Sequence, residues 1–365
     1  MEENISSKNG FQLISKYRGA IMGIAALWIY FFHTWTLMSA PPQEGSFSLI
    51  YFLELYTKRI GFAGVDIFFF LSGIGLTFAI KKGSTLTFYY KRLRRIVLPT
   101  LAIGIILGIT QNQGLAETIR NISGYNFFTK DIYSFLWFIH AIIIFYILFP
   151  LYWKLFERAE NKILFTSSVI LIWLLVTLLV RNTLRFDFFG FTNRIPVFLV
   201  GILFGYLTQK YKDTIFNLNA YVTLAIVLAA GLYLAFLANF KKHELIVPCG
   251  NCFLPNLLIA SSMPFLIAKL LEIVERHIPR LGKVVVAILS FFGSISLELY
   301  CVQEWFMDWE YIFKILGWPA YLLNILMFLC TTTIAWVMSV LFKTFWELVE
   351  LPFKRKSKAS TEEEK

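Results

Sequence analysis

Ten long apolar runs constrain this chain more than any other feature of its sequence. They lie near 19–39, 61–80, 96–112, 134–153, 163–180, 192–208, 219–239, 253–272, 284–304 and 319–342. Each is long enough to cross a hydrocarbon core of about 30 Å as a helix, which takes roughly 17 to 25 residues. The runs are continuously apolar, without the period-two alternation of membrane-barrel strands. Lipid offers no partner to a backbone amide or carbonyl, so each segment must satisfy its own as a helix. The expected fold class is therefore an all-α polytopic membrane protein, a bundle of about ten transmembrane helices. Composition agrees: 58% of the 365 residues are hydrophobic and 16% charged, against roughly 45–50% and about 25% in soluble domains. The 38 Phe, 17 Tyr and 10 Trp carry more ring surface than a soluble core of this size would hide.

The net charge of +11 does not point to nucleic acid, because the basic residues sit in short connectors between apolar runs. With alternate connectors assigned to alternate sides, 23 Lys and Arg fall on the side of the termini and 10 on the other. That asymmetry predicts both termini in the cytoplasm of a multi-pass cell-membrane protein, with membrane lipids as partners. The organisation expected is a cytoplasmic N-terminus over 1–18, one membrane domain over 19–342 and a cytoplasmic tail over 343–365, with the apolar stretch 40–60 interfacial or re-entrant. No cleavage site follows the first run, which is read as an uncleaved span. Cys249 and Cys252 in PCGNC lack a second half-site, and His243 is the only imidazole nearby. No metal is expected there, since structural zinc takes four ligands.

Four ionisable side chains lie well inside the runs: His33, Asp66, His140 and Glu298. Each is costly in lipid, by at least about 2.5–3.5 kcal/mol for Asp, Lys or Arg at a helix centre. Counting residues from the span ends at 1.5 Å each puts all four within roughly 10 Å of one depth in the outer leaflet, with Arg194 just above. The structural reading is of isolated polar groups hydrogen-bonded across the bundle. Convergence at one depth favours a shared polar cavity instead. Two imidazoles and two carboxylates suit general acid/base catalysis, and equally the proton relay of a proton-coupled secondary transporter. The absence of an internal repeat and of paired broken helices weighs against a transporter.

The segments MGIAALWIYFFH (22–33), GFAGVDIFFFLSGIGL (61–76), FYYKRLRRIVLP (88–99), LWFIHAIIIFYILFP (136–150), NRIPVFLVGILFG (193–205) and GSISLELY (293–300) occur in this order. Together they resemble acyltransferase family 3, integral-membrane enzymes that move acetyl or related acyl groups from a cytoplasmic donor onto sugars of surface glycans and similar acceptors. The resemblance runs from about residue 12 to 342, and GVDIFFFLSG is its most specific part. It implies an O-acyltransferase with acyl-CoA, acetyl-CoA in the simplest case, as donor substrate, no permanently bound cofactor, and a carbohydrate or lipid-linked glycan as acceptor. The family's catalytic His maps onto His33, and its arginine-rich motif onto Arg92 and Arg95 with Arg94 beside them. The family's usual basic residue three turns before the His is Met22 here, and Arg18, one turn deeper on the same face, is the candidate substitute. A His common in relatives is Gln303 here, so no catalytic role is carried to it.

The chemistry is compatible with this mapping. Transfer from a thioester to a hydroxyl needs a base, and His has the nearest suitable unperturbed pKa. Asp66 or Glu298 would hold the imidazole and stabilise its cation. Arg194, or backbone donors near Ser72 and Gly73, would stabilise the oxyanion, with His140 a further acid/base candidate. The cluster Lys91, Arg92, Arg94 and Arg95 suits coenzyme A phosphates, because arginine binds phosphate bidentately.

Overall fold

The computed structural model describes residues 10–130, 136–180, 188–241, 253–315 and 317–363. His243, Cys249 and Cys252 lie outside them. The elements in chain order are α1 (Phe11–Thr34), α2 (Leu49–Arg59), α3 (Ala63–Ala79), α4 (Thr85–Thr110), α5 (Leu115–Ile122), α6 (Tyr125–Thr129), α7 (Trp137–Arg158) and α8 (Lys162–Val180). There follow α9 (Phe188–Thr192), α10 (Ile195–Lys210), α11 (Leu218–Phe240), α12 (Phe253–His277), α13 (Pro279–Ser294), α14 (Ser296–Ile315) and α15 (Ala320–Glu363). Among the described residues every element is a helix, so the chain is an all-α polytopic membrane protein.

Each of the ten apolar runs coincides with a helix, the ninth with the α13–α14 pair. Seven helices among the described residues are long and apolar enough to cross a membrane. The number rises to nine if the bent pairs α2–α3 (45°) and α13–α14 (66°) each count as one span. The remaining run is α1, whose 24 residues include Lys16, Arg18 and His33. It packs against α3, α12, α13 and α14 at the centre of the bundle, with Ala20, Ile21 and Ala25 fully enclosed. By contrast α8 and α11 bury only Thr166 and Thr177, and Gly231 and Ala235, and turn rows of Leu, Ile and Val outward. That is the arrangement expected of helices whose outer face meets lipid.

The centre is tight because glycines let backbones touch. Gly19 and Gly23 of α1 meet α13 around Leu289 and Gly293; a Cβ on Gly23 would overlap the Leu289 carbonyl, and one on Gly293 the Gly19 carbonyl. This is the small-xxx-small spacing through which membrane helices approach closely. On the other side, α3 and α10 interlock through Gly73 and Gly201, a Cβ on Gly73 lying 2.5 Å from the Phe198 carbonyl.

The structure adds detail at two segments. Stretch 40–60 contains α2, none of whose side chains is fully buried and which elbows into α3. At the end of the chain α15 continues unbroken past residue 342 to Glu363. Its 44 residues span about 66 Å at 1.5 Å per residue, more than twice a hydrocarbon core. Glu350 pairs with Arg94, and Trp346 lies 5.7 Å from the same guanidinium, docking this part of α15 on α4.

Candidate active site

A cavity of about 200 Å³ lies between α1, α3, α4, α7 and the α13–α14 bend, and its lining is largely apolar. Met22, Ala26 and Ile29 face it from α1, Phe138 and Ile142 from α7, and Arg95 from α4. Ser72 and Tyr146 add hydroxyls, and Tyr300 and Gln303 close it from α14. The stripe Met22, Ala26, Ile29 has helical i, i+4 and i+3 spacing, and His33 is the next residue on that face. Met22 to His33 is 11 residues, about 16 Å along the axis.

The Met22 end is basic. Arg95 donates to both oxygens of the wholly buried Glu298, at 2.6 and 2.8 Å, and to the Ser294 carbonyl at 2.9 Å, just before the α13–α14 break. Arg92 sits over the rings of Phe88 and Tyr146, 5.8 and 5.9 Å from their centroids. Arg18 donates to the Leu71 carbonyl at 3.3 Å and lies against Gly75, with Arg92 as its charged neighbour. Arg95 lines the cavity itself, and Arg18, with Arg92 as its charged neighbour, lies one helical turn before Met22. Arg94 is drawn away by Glu350 of α15. Lys91 and Arg92 line a separate 30 Å³ pit with Lys82 and Ser84.

At the other end His33 faces Glu304 of α14, with Nε2 to Oε1 at 3.8 Å. This is ion-pair range, longer than a hydrogen bond, and both side chains are partly accessible, 18% and 12%. Two anchors fix the chain just beyond His33. Asn324 of α15 accepts from the Thr36 amide and donates to the Thr36 carbonyl, both at 2.8 Å. Glu54 of α2 accepts from Trp35 Nε1 and the Met38 amide at 2.8 Å, and from Ser39 amide and hydroxyl at 2.9 and 2.5 Å.

The four intramembrane groups do not share one cavity. Asp66, fully buried, accepts from Asn256 Nδ2 at 2.8 Å and pairs with Arg194 Nε at 3.5 Å, joining α3, α12 and the start of α10. Arg194 also donates to the Gly190 carbonyl at 2.6 Å and lies over Trp137, so its guanidinium is held by the protein. His140, 6% exposed, meets the Ile122 carbonyl at 3.3 Å and packs on Phe127. Beneath it Gly124 has φ +80, and a Cβ there would lie 2.7 Å from the imidazole, so the turn fits only glycine. Ser72 and Gly73 are mid-helix in α3, where their amide protons serve the helix itself.

A shared depth does not bring these groups together, because each lies on its own helix and faces different neighbours. The 66° bend at Ile295 carries Glu298 toward Arg95 and brings Glu304 to His33. Neither Asp66 nor Glu298 is the carboxylate beside the imidazole. With each of the four groups engaged separately, no continuous relay links them among the described residues, and the arrangement does not support the transporter reading. Sequence reasoning missed Glu304, Asn256 and Glu54. Glu304 ends an apolar run six residues after a carboxylate already counted, and the i+4 step from Tyr300, which lines the cavity, was the available signal.

A family model described as an acyltransferase domain matches residues 20–342, nearly the whole chain. No curated protein and no solved structure matches it. The matched span runs from the helix that carries His33, through the arginines of α4, to the helix that docks on them, and the chain belongs to the acyltransferase 3 family of membrane acyltransferases.

Proposed function

We infer that this protein moves an acyl group, acetyl in the simplest case, from acyl-CoA to a hydroxyl of a carbohydrate or other cell-envelope acceptor. The observation that carries the reading is the cavity lined at one end by Arg95, with Arg18 and Arg92 close behind Met22, and the His33–Glu304 pair beyond its other end. Coenzyme A is a polyphosphate with a long, flexible, mostly neutral arm. Its nucleotide suits the arginines, and its arm suits an apolar passage that approaches His33 over about 16 Å. The termini and the basic end then face the cytoplasm of the cell membrane, where the donor is made, and His33 faces the acceptor side.

In this reading His33 takes the proton of the acceptor hydroxyl as its oxygen attacks the thioester carbonyl. The carbonyl π pair moves onto oxygen, the C–S pair leaves with the thiolate as the intermediate collapses, and the thiolate recovers the proton from the imidazolium. Glu304 stabilises that cation and orients the ring, the part a carboxylate plays beside a catalytic histidine. The Asp66–Arg194–Asn256 junction holds α3, α10 and α12 in place.

The test is purified protein in nanodiscs with acetyl-CoA and cell-envelope carbohydrate. Acetyl ester should form with stoichiometric release of free thiol, and both should be lost in His33→Ala. Ester formation that persists without His33, or transfer from no acyl-CoA at all, overturns the reading.

A further inference from the structure

Gln303 is 1% exposed, yet neither its amide nitrogen nor its amide oxygen has a hydrogen-bond partner. It lines the cavity, and the next residue, Glu304, pairs with His33. A primary amide buried with both ends unmatched is destabilising, and natural folds rarely keep one unless a ligand completes it. Tyr300, one turn earlier on the same helix, closes the cavity beside it with a buried hydroxyl, and Ile29, Phe68, Phe138 and Leu297 add apolar walls.

We propose that Gln303 is the polar anchor for the reacting end of the donor. Its Nε2 donates to the thioester carbonyl oxygen, and its Oε1 accepts from the amide N–H two carbons from the sulfur. Acyl-CoA carries this acceptor and donor at short spacing, so one side-chain amide serves both. The inference rests on the acyl-CoA reading above. As the acceptor oxygen adds to the carbonyl carbon, the carbonyl π pair moves onto the oxygen that Nε2 holds. The hydrogen bond therefore strengthens as negative charge develops, the condition for catalysis by differential binding. No other atom is transferred to or from Gln303. A glutamine that served packing alone would have its amide satisfied by the protein.

Binding separates the possibilities without knowledge of the acceptor. Acetyl-CoA and its thioether analogue S-ethyl-CoA, in which a methylene replaces the carbonyl, are titrated into wild type and Gln303→Leu in nanodiscs, with thermal stability measured on the same samples. Wild type should prefer acetyl-CoA by about five- to tenfold, the scale of one net hydrogen bond. In Gln303→Leu the preference should fall to about one, while the midpoint of unfolding stays level or rises. An equal preference in both proteins, or a lower midpoint in Gln303→Leu, overturns the proposal for Gln303 and leaves the acyltransferase reading standing. Failure of wild type to bind either compound overturns both.

Discussion

Arg95 and Glu298 form a two-point ion pair, 2.6 and 2.8 Å, in which the carboxylate is wholly buried and the guanidinium half exposed toward the cavity. The arginine thus has two jobs, neutralising an interior charge and presenting a positive edge to the passage. Removing Arg95 alone leaves a buried carboxylate unpaired, at a cost of about 3–5 kcal/mol. Arg95→Ala should lower both thermal stability and acyl-CoA affinity. The double variant Arg95→Leu, Glu298→Leu should recover most of the stability without the affinity. Recovery of both would assign Arg95 to structure only.

Arg92 and Arg94 separate donor binding from docking. Arg92 lies over the rings of Phe88 and Tyr146 and is paired with no carboxylate among the described residues, so Arg92→Ala should weaken acyl-CoA binding by about tenfold with little change in stability. That is the range of one charge-assisted contact. Arg94 is committed to Glu350 and Trp346, and Arg94→Ala should leave affinity within about twofold, a surface pair contributing roughly 0–1 kcal/mol. Isothermal titration with acetyl-CoA distinguishes the two. Equal losses would mean that both arginines meet the donor.

For His33 the expected loss on replacement by Ala is about 10²–10⁴ in turnover, with insertion and stability retained. Glu304→Gln keeps shape but not charge and should cost at least about tenfold, appearing in kcat rather than KM because the imidazolium it stabilises forms only during reaction. A Glu304→Gln variant with unchanged kcat would leave the pair without a catalytic role.

His140→Ala should lose stability through its packing on Phe127 and Gly124 while keeping turnover within about threefold, since its contacts belong to the α5–α6 turn and not to the cavity. Steady-state rates corrected for the folded fraction decide this. A specific drop in kcat would return His140 to the site.

Gly23→Leu should not yield folded protein, because even a Cβ there overlaps the Leu289 carbonyl. Overpacking costs roughly 1–3 kcal/mol where neighbours can yield, and more where the neighbour is backbone. Size-exclusion profiles of the purified variant report the outcome.

Much of the architecture was legible in the sequence because a bilayer permits few solutions: an apolar run of about 20 residues has to be a helix. The individual charges were legible too, since each of His33, Asp66, His140 and Glu298 is conspicuous in lipid. Their partners were not. Asn256 is one neutral amide in an apolar helix, and only the meeting of α3 with α12 makes it the donor to Asp66. Glu304 reaches His33 because α13 and α14 break at Ile295, after GS and before S, with no proline or glycine at the break itself. Gln303 stood out only as a departure from relatives, and its meaning lies in two unmatched atoms that no periodicity reveals.

The seam at Gly19, Gly23 and Gly293 also bears on how the reaction can be organised across a bilayer. Where side chains separate two helices, one can slide or roll over the other like a shaft on bearings. Here main chain rests on main chain, so α1 has no such clearance against α13. The helix bearing His33 is accordingly a fixed post, and on the acyl-CoA reading proposed above the two substrates would meet at it from opposite faces of a barrier that stays shut, the small acyl group alone changing sides.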